Sequence, residues 1–279
     1  HIGDVLLGHG DNRLLTRSAW VDGLGLGTKA ASVFPGNASR VPPLQTAHSV
    51  VTLFDPGTGV PSALVDGDLV TRYKTAGDSV LGARFLARPD SERLLVVGAG
   101  TVGDSMIDAY SAVFPALKSI DIWNRTAARA QALATKHASS HTTVTAVTDL
   151  AAAAAAADMI VCATMTEQPV LLGAWVRPGT HVDVIGAYTP TMREVDDVLI
   201  STARIFVDAR ETAVHDIGEL AIPLAAGLIT EQDVLGDLYD LCADAPGRQS
   251  DADITLYKNG GGGHLDVMTA AYIRSKVEA

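Results

Sequence analysis

The sequence predicts an α/β fold: a doubly wound parallel sheet plus a second α+β domain built from both chain ends. Three observations carry this. An apolar run, residues 94–97, enters Gly98-Ala99-Gly100-Thr101-Val102-Gly103, and a second apolar run, 120–123, follows about twenty residues later. Short apolar stretches at 159–163, 181–185 and 204–207 then alternate with helical segments, as parallel strands covered on both faces do. Residues 1–70 behave differently, with short apolar stretches set between turn signals, the pattern of hairpins.

Taken in order, stretches 32–34, 48–54 and 62–65 are separated by Pro35-Gly36-Asn37, Pro42-Pro43 and Asp55-Pro56-Gly57. Stretches 48–54 and 62–65, joined across 55–61, form an expected hairpin. Residues 71–88 read as a helix closed by Pro89. From Arg93 the order is strand, helix, strand, helix. The alanine block 151–157 is a helix packed near the sheet and is assigned no chemistry. Helices are expected over 211–226 and, behind Thr230 as an N-cap, over 231–243. A strand over 254–257, the glycines 260–263 and a helix from Leu265 complete the chain. The expected domains are 89–251 for the parallel sheet, and 1–88 with 252–279 for the substrate and dimerisation domain. The cleft between domains is the expected site.

The strand–glycine turn–helix–strand unit at 94–126 is the one that binds a dinucleotide, a Rossmann-type arrangement. Gly98 permits the tight turn, Gly100 lets backbone approach a pyrophosphate, and Gly103 lets helix and strand pack closely. Thr101 and Val102 open the helix, whose free N–H groups and positive dipole end face the phosphates. The second strand ends at Asn124-Arg125-Thr126, where an NAD-binding protein usually has a carboxylate for the adenine ribose. An uncharged Asn124 followed by Arg125 suits a 2′-phosphate, so NADPH is expected over NADH. Thr164 and Met165 follow the strand over 159–163 at its C-terminal end, where cofactor ribose contacts lie. Gly186 ends the next strand, and Gly261 lies in a run that permits close approach to a ring.

A net charge of −11 with no basic stripe excludes nucleic acid and anionic membranes as partners. Hydrophobic residues at 47% against 19% charged describe a chain with a substantial core. Two cysteines, Cys162 and Cys242, form neither a metal spacing nor a disulfide framework, and no membrane-length apolar segment or signal peptide is visible. The expected compartment is the reducing cytoplasm, with no metal site.

The order of these motifs resembles the ornithine cyclodeaminase/mu-crystallin family. The resemblance runs through most of the chain. It is carried by Gly27-Thr28-Lys29 with Phe34-Pro35-Gly36-Asn37, Thr71-Arg72-Tyr73-Lys74-Thr75-Ala76, Gly98–Gly103, Ile185-Gly186-Ala187, and residues 254–257 leading into the glycine run and Asp266. It implies a homodimer paired through the non-Rossmann domain and hydride transfer at the α-carbon of an amino or imino acid. Cyclodeaminases place an aspartate where this chain has Tyr188. A phenol, with an ordinary pKa near ~10, is a poor substitute for a carboxylate base near neutrality. Lys74 stands where the family has an arginine, and a further carboxylate-binding arginine is not placed in this chain; its expected position is before His1. The phrase Ala187-Tyr188-Thr189-Pro190-Thr191-Met192-Arg193-Glu194, with Lys258-Asn259-Gly260-Gly261-Gly262, is similar to the Δ1-pyrroline-2-carboxylate (ketimine) reductase branch.

The resemblance therefore implies NADPH-dependent reduction of a cyclic imino acid, Δ1-pyrroline-2-carboxylate or its six-membered analogue Δ1-piperideine-2-carboxylate, to L-proline or L-pipecolate. Lys29 and Lys74 are the candidates to hold the substrate carboxylate or supply the imine proton. Lys74, read at a helix start where the dipole disfavours a cation, calls for a compensating anion. Tyr188 either donates a hydrogen bond to substrate or fills the pocket. His264 and Asp266 follow the glycine run, either against the nicotinamide or as part of a turn. Cyclodeaminase or alanine-dehydrogenase-like activity, and a binding protein without turnover, stand as alternatives, because a dinucleotide motif reports binding and not chemistry.

Overall fold

Five strands open the chain and pair in sequence order into an antiparallel sheet: β1 (Ile2–His9), β2 (Asn12–Val21), β3 (Gly25–Val33), β4 (Ala47–Phe54) and β5 (Pro61–Asp66). The expected hairpin is β4–β5. β1 and β2, undivided in the sequence reading, turn through Gly10-Asp11, with Gly10 at φ +57°. Side chains alternate across a strand, and the two faces of this sheet differ. One carries Ala19, Val51 and Leu53, packed with Val267 and Ala270 of the C-terminal helix Gly263–Val277. The other carries Val5, Leu7, Leu14, Trp20, Val50 and Leu64, all exposed. Gly27 lets the C-terminal helix approach: a Cβ there would lie 2.8 Å from the Thr52 carbonyl oxygen and 3.0 Å from Val267.

Helix α1 (Gly67–Leu86) begins at Gly67 rather than 71, because Asp66 Oδ1 accepts from Leu69 N at 2.8 Å and caps the first turn. The parallel portion then runs β6 (Arg93–Val97), α2 (Thr101–Val113), β7 (Ser119–Trp123), α3 (Ala127–Lys136), β8 (Thr143–Ala146), α4 (Leu150–Ala156), β9 (Met159–Cys162) and β10 (His181–Val184). It continues with α5 (Asp197–Thr202), β11 (Arg204–Val207), α6 (Arg210–Ala213), α7 (Gly218–Ala225), β12 (Val234–Asp237), α8 (Leu238–Cys242) and β13 (Thr255–Lys258). Its eight strands order as β12-β11-β13-β10-β9-β6-β7-β8, and every neighbouring pair is parallel. Both faces are buried. Leu95, Val97, Ile160, Val182 and Val184 feed one core, and Leu94, Val96, Ile120, Ile122 and Val161 the other. The chain leaves β6 toward β7 and β8 and returns to β9 on the other side. The C-terminal ends of β6 and β9 are thus a topological switch point, where such sheets bind ligands.

Two expected elements differ in kind, and a third is the expected strand in a different sheet. The helix over 211–226 is two helices, α6 and α7, because Ile217 is extended (φ −114°, ψ 128°). A Cβ on Gly218 would lie 2.5 Å from the Pro190 carbonyl oxygen, so this residue is a packing point. The helix over 231–243 is a 3-10 turn, strand β12 and α8. Thr230 does cap, but Asp233 closes the box within one turn, and Val234 and Gly236 then pair with Ile205 and Phe206 at the sheet edge. The strand expected over 254–257 is β13, which inserts between β10 and β11 of the parallel sheet.

The computed structural model describes residues 1–138 and 142–277. Its chain divides into two units, residues 1–74 with 262–279 and residues 75–261. The borders lie inside α1 and inside the glycine run, whereas the expected ones lay at 88/89 and 251/252. Among the described residues, no helix is long and apolar enough to cross a membrane.

Candidate functional site

In the second unit the glycine turn has the shape a dinucleotide requires. Gly98 sits at φ +118°, and its N–H donates to the Trp123 carbonyl at 2.8 Å. That conformation favours glycine, and a Cβ there would lie 2.5 Å from the Ala163 carbonyl oxygen beyond β9. A Cβ on Gly103 would lie 2.0 Å from the Gly98 carbonyl oxygen, so Gly103 closes α2 onto β6. At Gly100 a Cβ would meet nothing within 4 Å. Two glycines therefore serve packing, and the third leaves an open face at the start of α2. Thr101 and Val102 begin that helix behind Gly100, which offers no side-chain cap, so the first N–H groups face outward for an anion. A cavity of about 470 Å³ lies here, lined by Gly100, Thr101, Asp104, Arg129 and Lys136 among others. These residues fit a dinucleotide pyrophosphate.

Asn124 has a second role that sequence reading missed. Its Oδ1 accepts from Ala99 N at 3.1 Å and its Nδ2 donates to the Thr126 carbonyl at 3.0 Å, tying the end of β7 to the glycine turn. Arg125 and Thr126 are exposed beside it. At the ends of β9 and β10, Thr164 and Gly186 are pressed together: a Cβ on Gly186 would lie 1.8 Å from the Thr164 carbonyl oxygen. Met165 is exposed, and so is Tyr188, two residues beyond Gly186. Gly261, at φ +70°, donates its N–H to Asp208 Oδ2 at 2.5 Å, so that N–H is engaged within the protein.

The first unit holds the two candidate lysines together. Lys29 lies on β3 and is 8% exposed, an unusual depth for an ammonium. Its Nζ donates to Asp266 Oδ1 of the C-terminal helix at 3.1 Å and to Thr71 Oγ1 of α1. Lys74 lies three residues beyond Thr71 and is also buried. It is the eighth residue of α1, well inside the helix. The dipole argument for an anion therefore falls, and the neighbouring cations replace it. Burial and then the Lys74 ammonium lower the Lys29 pKa from the usual lysine range, while Asp266 works in the opposite sense. Arg17 stands opposite Lys29 in the β2–β3 ladder and adds to the positive field. His264 is buried, and desolvation with the Lys74 charge pushes its pKa down to about 4, which leaves it neutral near neutrality. Lys29 thus lies in the field of Lys74 and Arg17, the latter paired with Asp4 at 3.0 Å, and its own partner Asp266 keeps Oδ2 without a hydrogen-bond partner. The excess of positive charge suits a small anionic ligand.

Arg17 was not singled out in the sequence. Strand alternation with Lys29 was the signal, but it needs the β2–β3 register. Glu194, whose carboxylate takes the N–H groups of Thr164 and Gly186, was quoted only as part of a phrase.

Comparison with known proteins agrees with this geometry. The profile of the ornithine cyclodeaminase/mu-crystallin family matches residues 17–279. A Δ1-pyrroline-2-carboxylate reductase of Paracoccus denitrificans is 52% identical over 273 residues, covering 98% of this chain and 86% of the relative. The structure of Thermococcus litoralis Δ1-pyrroline-2-carboxylate reductase, in complex with NADH and L-proline, superposes with a TM-score of 0.91 at 25% identity, covering 99% of this chain and 86% of that one. An archaeal alanine dehydrogenase dimer with bound NAD gives a TM-score of 0.91 at 26% identity, with 99% and 85% covered. On the extent of these matches, the chain belongs to the ornithine cyclodeaminase/mu-crystallin family.

Proposed function

We propose that this chain, an oxidoreductase of C=N bonds using a nicotinamide cofactor, reduces Δ1-pyrroline-2-carboxylate to L-proline with NADPH. The observation that carries the reading is Lys29, a buried ammonium paired with Asp266 and flanked by Lys74 and Arg17. Such a group can hold the carboxylate of a small imino acid. A lysine with a lowered pKa also yields a proton more readily, and the ring nitrogen must be protonated before the C=N carbon accepts hydride. The cofactor supplies the hydride when bound; the protein supplies position, charge and the proton. Tyr188, in place of a carboxylate, argues against ornithine cyclodeamination. Δ1-Piperideine-2-carboxylate is a second substrate on the same chemistry, since one methylene is worth only about 1–3 kcal/mol of discrimination.

Arg125, exposed at the end of β7 beside an uncharged Asn124, supports NADPH. The apolar outer face of the antiparallel sheet supports a homodimer, because exposed apolar patches of this kind mark association surfaces. The free thiols Cys162 and Cys242 fit a cytoplasmic location. The test is oxidation of NADPH and of NADH with Δ1-pyrroline-2-carboxylate, run beside L-ornithine with NAD. NADPH consumption yielding L-proline is the expected result. Ammonia release from ornithine would favour cyclodeamination, and cofactor binding without turnover on any imino acid would favour a binding protein.

A further inference from the structure

The loop that leaves β10, residues 184–187, is gripped from both sides by buried charges. Glu194 is fully buried. Its Oε2 accepts from Ile185 N at 3.1 Å and Gly186 N at 2.5 Å. Its Oε1 accepts from Thr164 N at 2.6 Å and Thr164 Oγ1 at 2.7 Å. One carboxylate thus joins the loops that follow β9 and β10. Lys258, the last residue of β13 and also fully buried, holds the other side of the same loop. Its Nζ donates to the carbonyls of Val184 at 3.2 Å, Ala187 at 2.7 Å and Asn259 at 3.1 Å. Glu219 holds the backbone of the first clamp, accepting from Glu194 N at 2.8 Å and Val195 N at 3.1 Å.

Burying two carboxylates and an ammonium is a poor route to stability, because desolvation offsets most of their attraction. What such an arrangement supplies is geometry. Anion to N–H and cation to C=O leave the loop one register, and the close contact of Gly186 with Thr164 tolerates no other. The loops so held lie at the C-terminal ends of β9 and β10, across the switch point from the β6–β7 half with its glycine turn, and such sheets bind a dinucleotide across that crevice, one half to each side.

We propose that Glu194 and Lys258 are positioning residues for the nicotinamide half of the cofactor, acting through the Thr164 and Gly186 loops they fasten. The proposal rests on the cofactor reading above. It is tested by titrating wild type and Glu194→Gln with NADPH and NADH, and with 2′-phospho-ADP-ribose and ADP-ribose, which lack the nicotinamide. Melting temperatures are recorded alongside. A glutamine turns an NH2 group toward an N–H donor, so Glu194→Gln is expected to bind the whole cofactor at least tenfold more weakly and the fragments as wild type does. Unchanged cofactor affinity, or equal losses for cofactor and fragment, in a variant that still melts cooperatively would overturn it. If Glu194→Gln does not fold, Thr164→Val removes a single O–H donor. About threefold weaker binding of the whole cofactor alone is then expected, and equal losses overturn the proposal. Wild type that binds neither cofactors nor fragments would instead overturn the cofactor reading itself.

Discussion

The two sheets solve the same packing problem differently. In the parallel sheet both faces are covered by this chain's own helices, and its central strands are buried at every position from Leu94 to Val97, Met159 to Cys162 and His181 to Val184. In the antiparallel sheet one face is covered by the C-terminal helix, while the other leaves Val5, Leu7, Leu14, Trp20, Val50 and Leu64 in solvent. Their polar interiors differ likewise. Glu194 in the second unit has its lone pairs taken by four donors, whereas Asp266 in the first is paired with Lys29 through Oδ1 and keeps Oδ2 open. The lesson is that the second unit uses its buried Glu194 to hold its own loops, whereas the first leaves one oxygen of its buried Asp266 and one apolar sheet face uncommitted.

The sharpest way to break that contrast is Lys29→Met. It removes the charge at the centre of the first unit's cluster and is expected to lower kcat/KM for the imino acid about a thousandfold, roughly 4 kcal/mol of transition-state stabilisation. Circular dichroism and melting should show the fold retained; near-normal turnover would take Lys29 out of the scheme. Gly103→Ala probes the second unit. A Cβ placed 2.0 Å from the Gly98 carbonyl oxygen must push α2 off the sheet, and a stability loss of about 3 kcal/mol is expected in chemical denaturation.

Trp20→Lys asks whether the open apolar face is an interface. Burial of such a side chain is worth about 1.5–3 kcal/mol. Sedimentation should therefore show a dimer in wild type and weakened association in the variant, and a monomeric wild type would refute the contrast on that face. Arg125→Ala should weaken NADPH about 10- to 100-fold, the value of roughly 1.5–3 kcal/mol for a charge-assisted hydrogen bond, and leave NADH nearly untouched. Equal effects on both cofactors would remove the 2′-phosphate role.

The smallest effect concerns pH. Burial pushes Asp183 of β10 up to about 7, against its hydrogen bonds from Ser79 and Tyr110, and burial also pushes Glu219 up to about 7. A carboxyl raised on folding binds its proton more tightly in the native state. Its stabilising contribution is complete below about pH 4 and is lost as pH rises through 7. Asp183→Asn should flatten the decline in melting temperature between about pH 5 and 8; an unchanged slope would assign the titration elsewhere.

Legibility in the sequence followed locality. The glycine turn was readable because the positive φ of Gly98 and the contact of Gly103 with the Gly98 carbonyl are set within a few residues of chain. The β4–β5 hairpin was readable from its turn. Lys74 was read one turn too near a helix start, since the Asp66 cap shifts α1 forward. β12 was read as helix because Thr230 signals a helix start, whereas pairing with β11 decides the segment. Glu194 carried no local signal: a single glutamate in a loop acquires meaning only when four donors from two strand ends surround it.

By itself, the sequence determined the alternation of strands and helices, the open glycine turn for a pyrophosphate, the uncharged end of β7, and Lys29 and Lys74 as candidate cations. These rest on backbone sterics, periodicity and side-chain chemistry, which act over short stretches. Only the tertiary structure decided that Lys29 meets Asp266, 237 residues away, that Arg17 faces Lys29, and that Glu194 and Lys258 grip one loop. The physical reason is that burial and hydrogen-bond satisfaction belong to the folded surroundings of a residue, and those are assembled from distant parts of the chain.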